Sequence, residues 1–142
     1  MKKKFLIFDL DWTLYNPETQ ALFKWVPELI KHLSQWYTMF VSTRSSDEKA
    51  KEILKQWNIY DYFEAVMWST TMEKSEKHVE VFAMVSESNS FRQKCIFIGD
   101  WDIDRYVAEE SWLPFIKIWK EGKDYAEVDS ILEIESVFKK AR

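Results

Sequence analysis

Short apolar runs alternate along this chain with segments in which apolar residues return every three or four positions. The runs predict strands at residues 4 to 9, about 37 to 42, 64 to 69, 95 to 99 and 115 to 119. Within them apolar residues are near-continuous rather than alternating, the pattern of strands buried on both faces. The helically spaced sets predict helices carrying Val26, Leu29, Ile30 and Leu33; Ala50, Ile53, Leu54 and Trp57; Val79, Phe82 and Ala83; Ile103, Tyr106 and Val107; and Ile131, Ile134 and Phe138. Pro27 is tolerated in an opening turn, where its missing N–H has no partner to lose. Ser45 or Ser46 is placed to cap the second helix, and Asp47 and Glu48 suit its positive end. Strands that alternate with helices predict an α/β fold, a parallel sheet covered by helices on both faces.

Composition narrows the classes. With 142 residues, 46% of them hydrophobic, the chain has the mass for one core, and one domain over residues 1–142 is expected. Its only glycines, Gly99 and Gly122, are too few for a glycine-rich phosphate loop, which needs several close backbone approaches. Net charge is −4, with 20 basic and 24 acidic residues intermixed, so no broad cationic surface for nucleic acid is expected. No run nears the roughly 20 apolar residues that span a bilayer, so no membrane association is expected either. The single cysteine, Cys95, lies in the apolar run CIFIG as a small buried hydrophobe, which fits a reducing cytoplasm.

Open parallel sheets bind ligands outside the carboxyl ends of their strands. At those ends stand Asp9 and Asp11 after the first strand, Ser42, Thr43 and Arg44 after the second, and Gly99, Asp100, Asp102 and Asp104 after the fourth. Asp9 and Asp11 are two apart, so strand geometry starts both side chains toward one side. With Asp100 they form a cluster whose mutual repulsion calls for a hard cation bound by oxygen, and Mg²⁺ is the natural choice. A magnesium ion with few protein ligands keeps positions open for a phosphate oxygen, which suits phosphoryl transfer.

These residues resemble the signatures of the haloacid dehalogenase (HAD) superfamily. DLDWT looks like its first signature, Asp-x-Asp-x-Thr after an apolar strand; FVSTR looks like its second; FIGDWDID is similar to its fourth, Gly-Asp followed four residues on by Asp. Lys77 stands in the region of the third, one lysine at a helix start, with Lys74 as the rival. The resemblance implies a Rossmann-like three-layer sandwich and a phosphatase acting through an aspartyl-phosphate. It implies Asp9 as nucleophile, Asp11 as acid and base, and Thr43 and Lys77 as holders of the phosphoryl group. It also implies Mg²⁺ bound by Asp9, the main-chain carbonyl of Asp11 and Asp100, supported by Asp104, with Thr13 bracing the turn. Ser42 is an alternative to Thr43, but STRS is similar to the Ser-Arg-Thr of the magnesium-dependent phosphatases, a subgroup that also carries an aromatic where Trp12 replaces the more usual glycine. That alignment makes Arg44 a candidate substrate contact.

The spacing between signatures leaves no room for a full cap domain, which implies an open site for a phosphorylated substrate, a small phosphoester or a phosphoprotein. Trp12 and Trp101, flanking the aspartates, are expected to wall the pocket in its place. His32 and His78 are expected on helix surfaces. Two other classes compete: a relative that binds phosphate or a partner without turnover, and a response-regulator receiver domain, whose required aspartate after the third strand and lysine after the fifth are not found at residues 64 to 71 and 115 to 119.

Overall fold

A computed structural model of the chain describes residues 4–24, 26–44, 46–68, 72–99 and 102–117, together with 134 and 136; at 47, 72–76, 102–104 and 117 only the main chain is described. Five strands form one sheet: β1 (Lys4–Phe8), β4 (Tyr37–Thr43), β5 (Phe63–Trp68), β6 (Cys95–Gly99) and β7 (Phe115–Lys117). Their spatial order is β5-β4-β1-β6-β7, and all four pairings are parallel. β1 is central, with Leu6 registered against Met39 on one side and Ile96 on the other. Both of its faces are covered, which is why FLIF, from Phe5 to Phe8, reads as an unbroken apolar run.

Among the described residues, four α-helices make the outer layers: α1 (Val26–Leu33), α2 (Asp47–Gln56), α3 (Met72–Ser86) and α4 (Asp102–Glu110). Side chains alternate across the sheet, so one face of it offers Leu6, Phe8, Met39, Val41, Ile96 and Ile98 to α1 and α2. The other offers Phe5, Ile7, Phe40, Cys95 and Phe97 to α3 and α4. The chain thus winds outward from β1 to β5 under α1 and α2, crosses back, and winds to β7 under α3 and α4. The direction reverses beside β1, the kind of switch point at which open parallel sheets bind ligands.

Local chemistry sets the helix ends. Ser46 opens α2, its Oγ accepting from the Lys49 amide at 3.3 Å. Asn58, left-handed at φ 59°, closes it with amide bonds from Asn58 to Lys55 and from Ile59 to Leu54. α4 ends in the same way around Trp112 at φ 62°, with Trp112 bonded to Glu109 and Leu113 to Ala108. Among the described residues no helix is long and apolar enough to cross a membrane.

Three expectations are revised. The chain between β1 and α1 forms a small antiparallel hairpin, β2 (Tyr15–Asn16) and β3 (Ala21–Leu22), which had no counterpart in the hydrophobic pattern. Asn16 stiffens its turn by accepting from the Glu18 amide at 2.9 Å. α3 begins at Met72, so Lys77 lies inside the helix rather than at its start, whereas Lys74 is in the first turn. His78 is buried, 2% exposed, because it shares the inward stripe of α3 with Val79 and Phe82; His32 is exposed as expected. The last expected helix lies outside the described residues except at Ile134, which is helical and buried, and at residue 136.

Candidate active site

The ladder of β1 runs one residue past the strand: the Asp9 amide donates to the Ile98 carbonyl at 2.9 Å. The chain then wraps around the carbonyl of Leu10, which accepts from Thr13, Leu14 and Tyr15 at 3.2, 2.9 and 3.0 Å. Leu10 and Leu14 are fully buried and anchor this wrap in the core. Trp12, between Asp11 and Thr13, takes φ 63°, the left-handed region that favours glycine. The buried Thr13 turns its hydroxyl back to Asp9, with Oγ1 3.4 Å from Oδ2. Asp9 and Asp11 are both half-buried, and Asp11 is bridged to Tyr15.

β4 delivers the neighbouring groups. Its register with β1 ends at Phe8 opposite Val41, so one further step sets Asp9 beside Ser42. Ser42 and Thr43 are buried, and Arg44, just past the strand, is exposed. The Ser42 Oγ lies 2.7 Å from His78 Nδ1, and His78 Nε2 lies 3.1 Å from the Trp68 carbonyl oxygen. A carbonyl only accepts, so Nε2 carries the proton; Nδ1 of the neutral ring then accepts from the Ser42 hydroxyl. Burial lowers the His78 pKa, offset in part by the Trp68 carbonyl, and so favours that neutral ring.

Asp9, Asp11, Thr43 and Arg44 therefore share the carboxyl edge of β1 and β4. Lys77 is exposed on α3, one residue before His78. Asp104 lies in the first turn of α4, which follows β6, with its side chain outside the described residues; Asp100 and Trp101 lie outside them altogether. Among the described residues no group of three or more His, Cys, Asp or Glu could hold a metal ion. The donors that are described, the Asp9 and Asp11 carboxylates, are hard oxygens of the type that suits Mg²⁺.

Trp12 lines a groove of ≈ 830 Å³ between the hairpin, the start of α1 and the end of α2, with Leu22, Phe23, Pro27 and Trp57 among its walls. The segments between β1 and α1 and between β4 and α3 hold the hairpin and the α2–β5 unit respectively. The buried polar group beside this edge that was missed in the sequence is His78. Its signal was present in HVEVF: a histidine beside Val79 and four residues before Phe82 falls on the buried stripe of a helix.

Residues 17–118 match the family described as haloacid dehalogenase-like hydrolase, a stretch that begins beyond Asp9, Asp11 and Thr13. No curated protein matches the chain. Solved structures share the fold at low identity. A HAD-superfamily hydrolase from Ehrlichia chaffeensis superposes with a TM-score of 0.76 at 16% identity, over 96% of this chain and 98% of that one. A Clostridium acetobutylicum protein described as a predicted phosphatase gives 0.70 at 14%, over 99% and 98%. The N-terminal part of a Bacteroides fragilis protein, containing a phosphatase domain complexed with Mg, gives 0.73 at 17%, over 96% of this chain and 40% of that one.

Proposed function

We propose that this chain, which belongs to the haloacid dehalogenase-like hydrolase family, is a Mg²⁺-dependent phosphatase that hydrolyses phosphate monoesters through an aspartyl-phosphate on Asp9. An Asp9 carboxylate oxygen attacks phosphorus and the ester P–O bond breaks, the leaving oxygen taking a proton from Asp11. Asp11 then accepts a proton from water as that water attacks the phosphoryl group, which leaves Asp9 as inorganic phosphate. Thr43 and Lys77 hold the phosphoryl oxygens, and Arg44 contacts substrate. Asp9, the Asp11 carbonyl and Asp100, supported by Asp104, would hold Mg²⁺, whose charge offsets that of the phosphate oxygens.

The observation that carries this reading is the position of Asp9. It stands at the carboxyl end of the central strand, its amide tied to Ile98 and its carboxylate faced by the Thr13 hydroxyl. Thr43 is favoured over Ser42 as the phosphoryl-holding hydroxyl because the Ser42 proton is directed to His78. Among the described residues a short hairpin is what joins β1 to α1 beside this edge, which supports a small phosphoester or a phosphoprotein side chain as substrate.

The test is hydrolysis of p-nitrophenyl phosphate and a panel of phosphotyrosine, sugar phosphates and nucleotides, with Mg²⁺ and with chelator. Turnover is expected only with Mg²⁺, lost in Asp9→Asn and reduced about 10²–10⁴-fold in Asp11→Asn. Wild-type rates in Asp9→Asn, or no hydrolysis of any panel member, would overturn the assignment.

A further inference from the structure

His78 is a buried titratable side chain that the proposed chemistry does not use. It joins three segments: its Nδ1 meets Ser42 Oγ at 2.7 Å near the end of β4, its Nε2 meets the carbonyl of Trp68 at 3.1 Å on the last residue of β5, and its own backbone belongs to α3. Ser42 precedes Thr43, and His78 follows Lys77. A single imidazole is therefore bonded to the residue before Thr43 and directly follows Lys77 in the chain, so it adjoins both residues assigned to the phosphoryl group although they come from segments far apart in the chain. At 5% exposure Ser42 does not present its hydroxyl as a nucleophile, so the Ser42–His78 contact is read as a brace. Phe82, one turn on, has its ring centroid 6.3 Å from the imidazole and helps enclose it.

We propose that His78 is a positioning residue, a neutral strut between the ends of β4 and β5 and the face of α3 that fixes Thr43 and Lys77 in relation to each other. The inference rests on the phosphatase reading for its consequence and on geometry alone for the strut. An imidazole suits the role because it is rigid and, when neutral, offers one donor and one acceptor on opposite sides. Leucine fills similar space and supplies neither. Glutamine keeps an N–H for the Trp68 carbonyl and an oxygen for the Ser42 hydroxyl.

The test has two arms on the full chain. In the first, KM for p-nitrophenyl phosphate and the inhibition constant of inorganic phosphate are compared in wild type, His78→Leu and His78→Gln. His78→Leu is expected to raise both constants, up to about tenfold, the scale of one or two lost hydrogen bonds, with His78→Gln recovering much of the loss. A role in packing alone would alter the folded fraction and kcat while leaving both constants unchanged, and that result overturns the proposal. In the second arm, nitrogen NMR of the wild-type imidazole is expected to show protonated Nε2 and bare Nδ1. The opposite tautomer, or a ring that titrates as a solvated histidine, overturns the strut. This arm needs neither a variant that folds nor any turnover. An inactive wild type with the expected tautomer would thus sink the phosphatase assignment while leaving the strut standing.

Discussion

On one side of the sheet, α1 and α2 bring Val26, Leu29, Ile30, Leu33, Ile53 and Leu54, aliphatic side chains that fill space without directional demands. On the other side phenylalanines dominate: Phe40 stacks on Phe82 with centroids 4.5 Å apart, Phe5 meets Phe91 at 4.7 Å, and His78 stands among them with two hydrogen bonds. Aliphatic packing tolerates small shifts, whereas stacked rings and an oriented imidazole specify where α3 lies. α3 is also the helix that carries Lys77. The contrast teaches that the first side is packed without directional demands, while the second fixes the orientation of α3, the helix on which the proposed phosphoryl-holding Lys77 stands.

The sharpest way to break that contrast is a pair of truncations. Phe82→Ala is expected to cost about 3–5 kcal/mol by denaturant melting and to raise KM, because the helix that holds Lys77 and His78 loses its seat. Leu29→Ala is expected to cost about 2–5 kcal/mol with KM unchanged in the molecules that remain folded. Equal effects on KM would erase the distinction between the two sides.

Acid offers a smaller lever on the aromatic side. The His78 pKa is lowered by burial in the folded chain and returns to about 6.5 on unfolding. Between the two values the unfolded chain binds more protons, so stability is full above about pH 6.5 and falls as pH drops toward and through the folded value. Chemical denaturation of wild type and His78→Gln across this range should show a shallower acid loss in the variant; identical slopes would remove His78 from the acid response. The least effect is expected on the aliphatic side. There Trp57 Nε1 is buried without a hydrogen-bond partner among the described residues. Trp57→Phe removes that donor and much of the same ring's bulk is kept, so the change in midpoint should stay within about 1 kcal/mol of zero.

What could be read from the sequence divides along the same physical line. β1, β4 and β6 were legible because strands buried on both faces must be apolar throughout, and α2 because Ser46 signals its own cap. The position of Asp9 and Asp11 just past β1 was legible because the apolar run stops at them. The hairpin of β2 and β3 was not, since two-residue strands are too short to show a period. His78 was misjudged because a polar side chain interrupts an apolar stripe, and what satisfies it, Ser42 and the Trp68 carbonyl, is brought near only by the tertiary fold. The start of α3 was missed for a related reason: MEKSEK carries little apolar spacing to mark helix before Val79.

Trp12, held at φ 63°, occupies a backbone bend that costs an ordinary L-residue roughly 1–2 kcal/mol and glycine nothing. The bend, rather than a choice among rotamers alone, sets the bearing of the indole. That bearing puts the indole in the wall of the groove it shares with Leu22, Phe23, Pro27 and Trp57, so a glycine at this position would relax the main chain and strip the groove of one aromatic side at the same stroke.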